Sequence, residues 1–170
     1  AVSQVQAIAQ VYGLQVGASG PLAAAGLLRA IAHSVQRTFG RLITVQVVGQ
    51  VLHELPEAEA IPVALILNEL MTNAIKHGTG EELRCTLSAQ GDGICIRVQG
   101  EATLPPGFDL SKLRSGVAGL GLVRALLPRR SATLSLQQEA ADVVAQVELR
   151  PPSVRVPPGN GKDDQPQSAA

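Results

Sequence analysis

One stretch limits what this chain can fold into more than any other: Ile61 to Gly78, which reads I-P-V-A-L-I-L-N-E-L-M-T-N-A-I-K-H-G. At about 100° per residue, Val63, Ile66, Leu67, Leu70, Met71, Ala74 and Ile75 fall on one apolar stripe. That recurrence predicts a helix packed along the stripe against a core. Glu69, Asn73, Lys76 and His77 project beside the stripe within an arc of roughly 100°. A carboxylate and an amide one turn apart can hold a hydrated Mg²⁺ or orient a proton transfer. A lysine and an imidazole one turn further on can meet phosphate oxygens. By periodicity alone, the same pattern also describes an amphipathic helix with a solvated polar face.

The composition sets outer bounds. With 170 residues, 45% of them hydrophobic and 16% charged, the chain suits one globular domain with a real core. A formal net charge of zero argues against a broad nucleic-acid surface, and an aromatic content of 2% with no Trp leaves no base-stacking platform. No apolar run reaches the ~18 residues of a membrane span. The chain shows no signal peptide and opens mid-pattern, as an excised fragment does. Cys85 alternates with Leu83 and Leu87 on the apolar side of a strand, and Cys95 falls on the other face of the following strand. Two thiols placed so do not bridge readily, so reduced cysteines and a cytoplasmic setting are expected. Two cysteines and three scattered histidines offer no zinc spacing.

Around the central helix the chain reads as α-β-α-β-β-lid-α-β-β. Residues 2–16 carry Val5, Ile8, Ala9, Tyr12 and Val16 at helical spacing, and Gly17 to Pro21 break that helix. A second helix is expected over Leu22 to Phe39 with Gly40 as its stop. Ile43, Val45 and Val47 alternate as a strand, and Gly49 to Glu54 reads as a short strand or a loop. Glu57 and Glu59 precede the central helix, whose first turn takes Pro62. Strands at Leu83–Ala89 and Ile94–Val98 flank a Gly91-Asp92-Gly93 turn. Gln99 to Ser115 reads as a lid, Ser115 to Leu122 as a glycine-rich entry to another helix, and Ala132–Gln137 and Val143–Leu149 as closing strands. From Pro151 the chain is rich in Pro, Gly, Asp, Gln and Ser and is expected to be disordered. This order predicts a two-layer α/β (α+β) sandwich, a mixed sheet with helices on one face.

The string N-E-L-M-T-N-A-I-K-H-G, Asn68 to Gly78, closely resembles the N box of the GHKL ATPases, which include the sensor histidine kinases. The opening V-S-Q-V-Q-A-I-A-Q-V-Y resembles the tail of the second dimerisation helix in HWE-type and related kinases, and L-P-P-G-F-D-L, Leu104 to Leu110, resembles the segment after their first glycine box. The resemblance implies that Glu69 acts as base or orienting group and that Asn73 holds Mg²⁺ beneath the triphosphate of ATP. Lys76 and His77 would approach the phosphates. Gly119, Gly121 and Leu122 match the second glycine box, whose amides would grip phosphate at a helix start. His33 lacks the acidic residue that precedes the family's phosphoacceptor and is read as structural or solvated. The implied domains are 1–16 as the tail of a dimerisation helix, 17–150 as an ATP-binding catalytic domain and 151–170 as a tail.

The resemblance is uneven. In the family, a D-N-G-x-G box follows the strand ending at Val98, and its Asp accepts from the adenine amine. Anchored on Leu104 to Gly107, that box places Gln99 at the Asp, Gly100 at the Asn, Glu101 at the first Gly and Thr103 at the second. Gln99 keeps a neutral acceptor oxygen, and Glu101, two residues on, is a candidate substitute carboxylate if the backbone stays extended; side chains where glycines belong would equally obstruct the pocket. The Gly-Thr usual before the last strand is replaced near Ala141-Asp142, and an acid there would repel a triphosphate.

Three readings follow. The first is the ATP-binding catalytic domain of a two-component sensor histidine kinase, with reduced nucleotide affinity. It would position Mg-ATP for phosphoryl transfer to a histidine on preceding dimerisation helices and signal to a response regulator, as a homodimer in the full protein. The second is a degenerate relative that serves as a regulatory or docking module. The third is an anti-sigma serine kinase of the same superfamily.

Overall fold

The computed structural model describes residues 2–15, 20–112, 119–127 and 131–158. Its elements are α1 (Val2–Leu14), β1 (Leu22–Ala23), α2 (Ala24–Phe39), β2 (Leu42–Val48), β3 (Glu54–Leu55), α3 (Glu57–His77), β4 (Glu82–Gln90), β5 (Gly93–Glu101), a 3₁₀ turn (Leu110–Lys112), α4 (Gly119–Leu126), β6 (Ala132–Glu139) and β7 (Asp142–Leu149). A five-stranded sheet runs in the order β2-β4-β5-β7-β6, with β2 and β4 parallel and the other neighbours antiparallel. It is mixed, as expected, and the helices cover one of its faces.

Period-2 alternation explains how the sheet meets the helices. Leu83, Cys85 and Leu87 of β4, Ile94, Ile96 and Val98 of β5, and Ala145, Val147 and Leu149 of β7 are buried beneath the helical layer. The intervening residues form the sheet's other, largely polar face, on which Cys95 and Val144 are nonetheless buried. Register places Ser88, Cys95 and Glu148 side by side there. The two thiols are therefore free and on opposite faces. Burial pushes the Cys85 thiol up to about 12. Cys95 is raised by burial first and then by Glu148, against the opposing pull of Arg97.

In the helical layer, α2 turns Leu27, Leu28, Ile31 and Val35 into the core. It ends at Gly40, whose left-handed φ of 66° lets its N–H reach the Gln36 carbonyl at 2.9 Å. Helix α3 lies between α1, α2 and the sheet. It is also, among the described residues, the helix long and apolar enough to cross a membrane, yet its stripe is the protein core.

Several expected boundaries shift. Helix α2 starts at Ala24, because Leu22 and Ala23 pair with Leu55 and Glu54 in a two-stranded sheet. Helix α3 starts at Glu57, so Glu57 and Glu59 lie in its first turn and Pro62 in its second, where it forgoes one helix hydrogen bond. Strand β5 continues through Gln99, Gly100 and Glu101, which pair with Val144, Val143 and Asp142 rather than opening the lid.

The expectation that disorder begins at Pro151 fails for residues 151–158. Ser153 and Val154 are buried, and Arg155 exchanges backbone hydrogen bonds of 2.8 and 2.9 Å with Glu54. The Arg155 guanidinium also meets the Glu54 carboxylate at 2.9 Å. Low average hydrophobicity hid one well-placed valine and a strand-like pairing. Residues 159–170 lie outside the described residues. Truncating a fully buried valine removes about two methylenes' worth of burial and leaves a void. Val154→Ala is therefore expected to lower unfolding free energy by about 2 kcal/mol in urea denaturation; unchanged stability would mean the segment is not packed.

Candidate functional site

A cavity of about 250 Å³ opens between α3, the sheet, α4 and the segment after β5. It lies just below the ~300–1,000 Å³ usual for ligand pockets. Its walls are mostly apolar: Leu70 and Ala74 from α3, Val98 from β5, Leu120 from α4, and Leu136, Val143 and Ala145 from β6 and β7. Asn73, His77 and Thr103 supply the polar side chains.

The central helix divides its polar residues between two surroundings. Asn73 and His77 line the cavity, and Lys76 is exposed and does not. Glu69 lies on another side, against α1. It is only 7% exposed, and Gln4 Nε2 donates to its Oε1 at 2.9 Å. Its neighbour Asn68 donates to Ser3 Oγ at 3.4 Å. The helical projection brought Glu69, Asn73, Lys76 and His77 into one arc, but that arc is wide enough for α1 to cover one side and the cavity to take another.

Gln99 and Glu101, expected to stand in for an adenine-reading carboxylate, do not face the cavity. Gln99 Nε2 donates to Asp142 Oδ2 at 2.7 Å on the open face of the sheet. Glu101 accepts from the Thr79 hydroxyl at 3.1 Å and from the Thr79 N–H, through its carbonyl, at 2.9 Å. The residue between them, Gly100, forms the cavity wall. The sequence contained the signal: counting by two from the core residue Val98 reaches Gly100, not Gln99. Asp142 faces the same side as Gln99, paired with Arg84 at 3.0 Å, so its carboxylate does not stand in the cavity to repel a triphosphate.

Gly119, Gly121 and Leu122 lie in the first turn of α4, where backbone N–H groups have no helical acceptor. Gly119 takes a φ of 61°, which favours glycine. From this helix Leu120 lines the cavity, and Leu122 is not among the lining residues. The preceding residues 113–118, where the expected glycine-rich stretch begins, lie outside the described residues.

Gln138, unnoticed in the sequence, ties the segment after β5 to the sheet. Its Oε1 accepts from Leu104 N–H at 2.9 Å, and its Nε2 lies 3.0 Å from the carbonyls of Ala102, Ala140 and Asp142. Further on, Asp109 Oδ1 accepts from the Ser111 hydroxyl at 2.6 Å and its N–H at 2.9 Å, and Arg124 of α4 holds the Ser111 carbonyl at 2.8 Å. The hydroxyl first and the backbone N–H second hold the Asp109 carboxyl below the usual range. This contribution is complete above the ordinary carboxylate pKa of ~4 and is lost as pH falls through the lowered value.

The same architecture occurs in solved histidine kinase domains. The histidine kinase domain from the Erythrobacter litoralis EL346 blue-light activated histidine kinase superposes with a TM-score of 0.70 at 18% identity, over 87% of this chain and 78% of that one. The ATP binding domain of PrrB from Mycobacterium tuberculosis gives 0.59 at 20% identity, over 78% and 96%. Acinetobacter baumannii histidine kinase AdeS gives 0.58 at 14%, over 88% and 76%. No family model and no curated protein matches the sequence. The chain thus has the fold of a histidine kinase catalytic domain.

Removing the Gln4 donor leaves the buried Glu69 carboxylate short of a partner, at a cost of about 1–3 kcal/mol. Gln4→Ala is expected to reduce stability by that amount and to speed amide exchange in α1. Unaltered stability and exchange would show that the contact does not hold α1 against α3.

Proposed function

We propose that this chain is the nucleotide-binding catalytic domain of a two-component sensor histidine kinase. In this reading the residues up to Val16 are the end of a dimerisation helix, residues 17–150 form the catalytic domain, and the acceptor histidine lies outside the chain. The observation that carries the proposal is Asn73 and His77 standing over a mostly apolar cavity in a histidine kinase catalytic fold.

The residues suit Mg-ATP in part. The apolar walls suit a planar base, and Asn73 offers one amide oxygen to a cation. Among the described residues no group of three or more His, Cys, Asp or Glu could hold a metal alone. Mg²⁺ commonly keeps several waters and shares its remaining positions with substrate phosphates, so one amide is compatible with that mode. When bound, the ion would neutralise phosphate charge. His77 and the free N–H groups of α4 would orient the phosphates, and the segment held by Gln138 would limit water entry. Glu69, turned toward α1, would orient an acceptor imidazole presented from the helical side. A cytoplasmic location, a homodimer and a response regulator partner belong to the same reading.

A second reading, a degenerate regulatory or docking module, is favoured by one observation: the cavity wall carries Gly100 where a base-reading side chain would be needed.

Calorimetry separates the two. Mg-ATP is expected to bind in the micromolar to sub-millimolar range, and Asn73→Ala is expected to abolish the signal. Gln99→Ala, on the open face, is expected to change affinity by less than about twofold. No heat at millimolar ATP from a folded sample would support the docking module.

A further inference from the structure

Where the sheet ends, register sets Gly100 of β5, Val143 of β7 and Gln138 of β6 in one row. Gly100 and Val143 line the cavity, and Gln138 does not. Its side chain reaches instead to the segment that follows β5. Oε1 accepts from Leu104 N–H at 2.9 Å, and Nε2 lies 3.0 Å from the Ala102 carbonyl. These two peptide groups flank Thr103. The same Nε2 is 3.0 Å from the carbonyls of Ala140 and Asp142, so the amide ties the Thr103 backbone to the β6–β7 turn. Ala102 N–H adds a bond of 3.1 Å to the Ala141 carbonyl in that turn.

Thr103 is a polar side chain of the cavity that does not come from α3, which supplies Asn73 and His77. Its hydroxyl can both donate and accept, and no other described residue engages it. A side chain on a free segment loses backbone freedom when it grips a ligand, and that loss subtracts from affinity. Hydrogen bonds to the peptide groups on both sides of Thr103 remove the freedom beforehand.

Building on the nucleotide reading above, we propose that the Thr103 hydroxyl contacts the nucleoside part of the bound nucleotide. Gln138 is then a positioning residue, which holds Thr103 to the cavity without touching the ligand. In that reading the phosphates fall to Asn73, His77 and the N–H groups of α4, and the apolar walls take the base. The hydroxyl, on the segment after β5, is left for a polar atom of the base or ribose.

The test is calorimetry of the intact chain with Mg-ATP and Mg-ADP. Thr103→Val keeps the branched side chain and removes the hydroxyl. It is expected to weaken both nucleotides by about three- to tenfold, as loss of one neutral hydrogen bond does. Gln138→Ala is expected to cost a similar factor when Thr103 is present and less than about twofold in the Thr103→Val background. In methyl NMR spectra of the free protein, Gln138→Ala is expected to shift the Thr103 methyl and leave that of Leu28, in the core, unmoved. General loss of stability would not produce that pattern. Wild-type affinity in Thr103→Val would overturn the ligand contact, and a loss confined to ATP would place the hydroxyl on the γ-phosphate instead. Equal losses from Gln138→Ala in both backgrounds, or an unmoved Thr103 methyl, would overturn the positioning role. Absence of binding by the unaltered, folded chain would overturn the nucleotide reading itself.

Discussion

Helix α3 has to satisfy the sheet, α1 and the cavity with a single period of 3.6 residues, and the rest of the structure depends on that constraint. Its apolar stripe supplies Val63, Ile66, Leu67, Leu70 and Met71 to the core. On one side of the stripe Asn68 and Glu69 are held by Ser3 and Gln4 of α1. On another, Asn73 and His77 face the cavity. A shift of one residue would rotate the helix by about 100° and exchange core for polar contacts. The site is thus a consequence of how the core is packed, and its polar residues sit on a rigid element.

Strand β5 applies the other constraint. Its inward residues run Ile94, Ile96, Val98, Gly100, and its outward ones Cys95, Arg97, Gln99, Glu101. The outward end joins a network of Arg84, Asp142 and Gln99, and Arg97 pairs with Glu139 at 2.8 Å. These are surface ion pairs of small individual worth. Their effect on the site is indirect: they hold the polar side chains of β5 outward and leave the cavity with apolar walls. Glycine at position 100, with Leu83 leaning across it, completes that separation.

The helical layer was legible in the sequence because its stripes are long and regular, and the order of strands followed from alternation and turn residues. Asn73 and His77 were legible as cavity residues because the motif and the projection agreed. Glu69 was legible as a polar position but not as one covered by α1, since no local pattern records which neighbour a helix face meets. Gln99 and Glu101 were misplaced by aligning the chain to a family box instead of carrying the parity of β5 past Val98. Gln138 carries no motif at all; its role comes from contacts with the segment after β5 and with the turn into β7. The packed segment at Val154 was missed because composition averages over the one residue that matters.

In the proposed nucleotide reading, ligand binds against the inner side of β5 and not its outer side. Methyl-resolved NMR during titration with Mg-ATP tests it directly, since Val143 lines the cavity and its buried neighbour Val144 shares a register row with Gln99 on the opposite face of the sheet. Shifts concentrated at Leu70, Leu136, Val143 and Ala145, with Val144 little changed, are the result the account predicts. Shifts centred on Val144, or none at millimolar nucleotide from a folded sample, would contradict it.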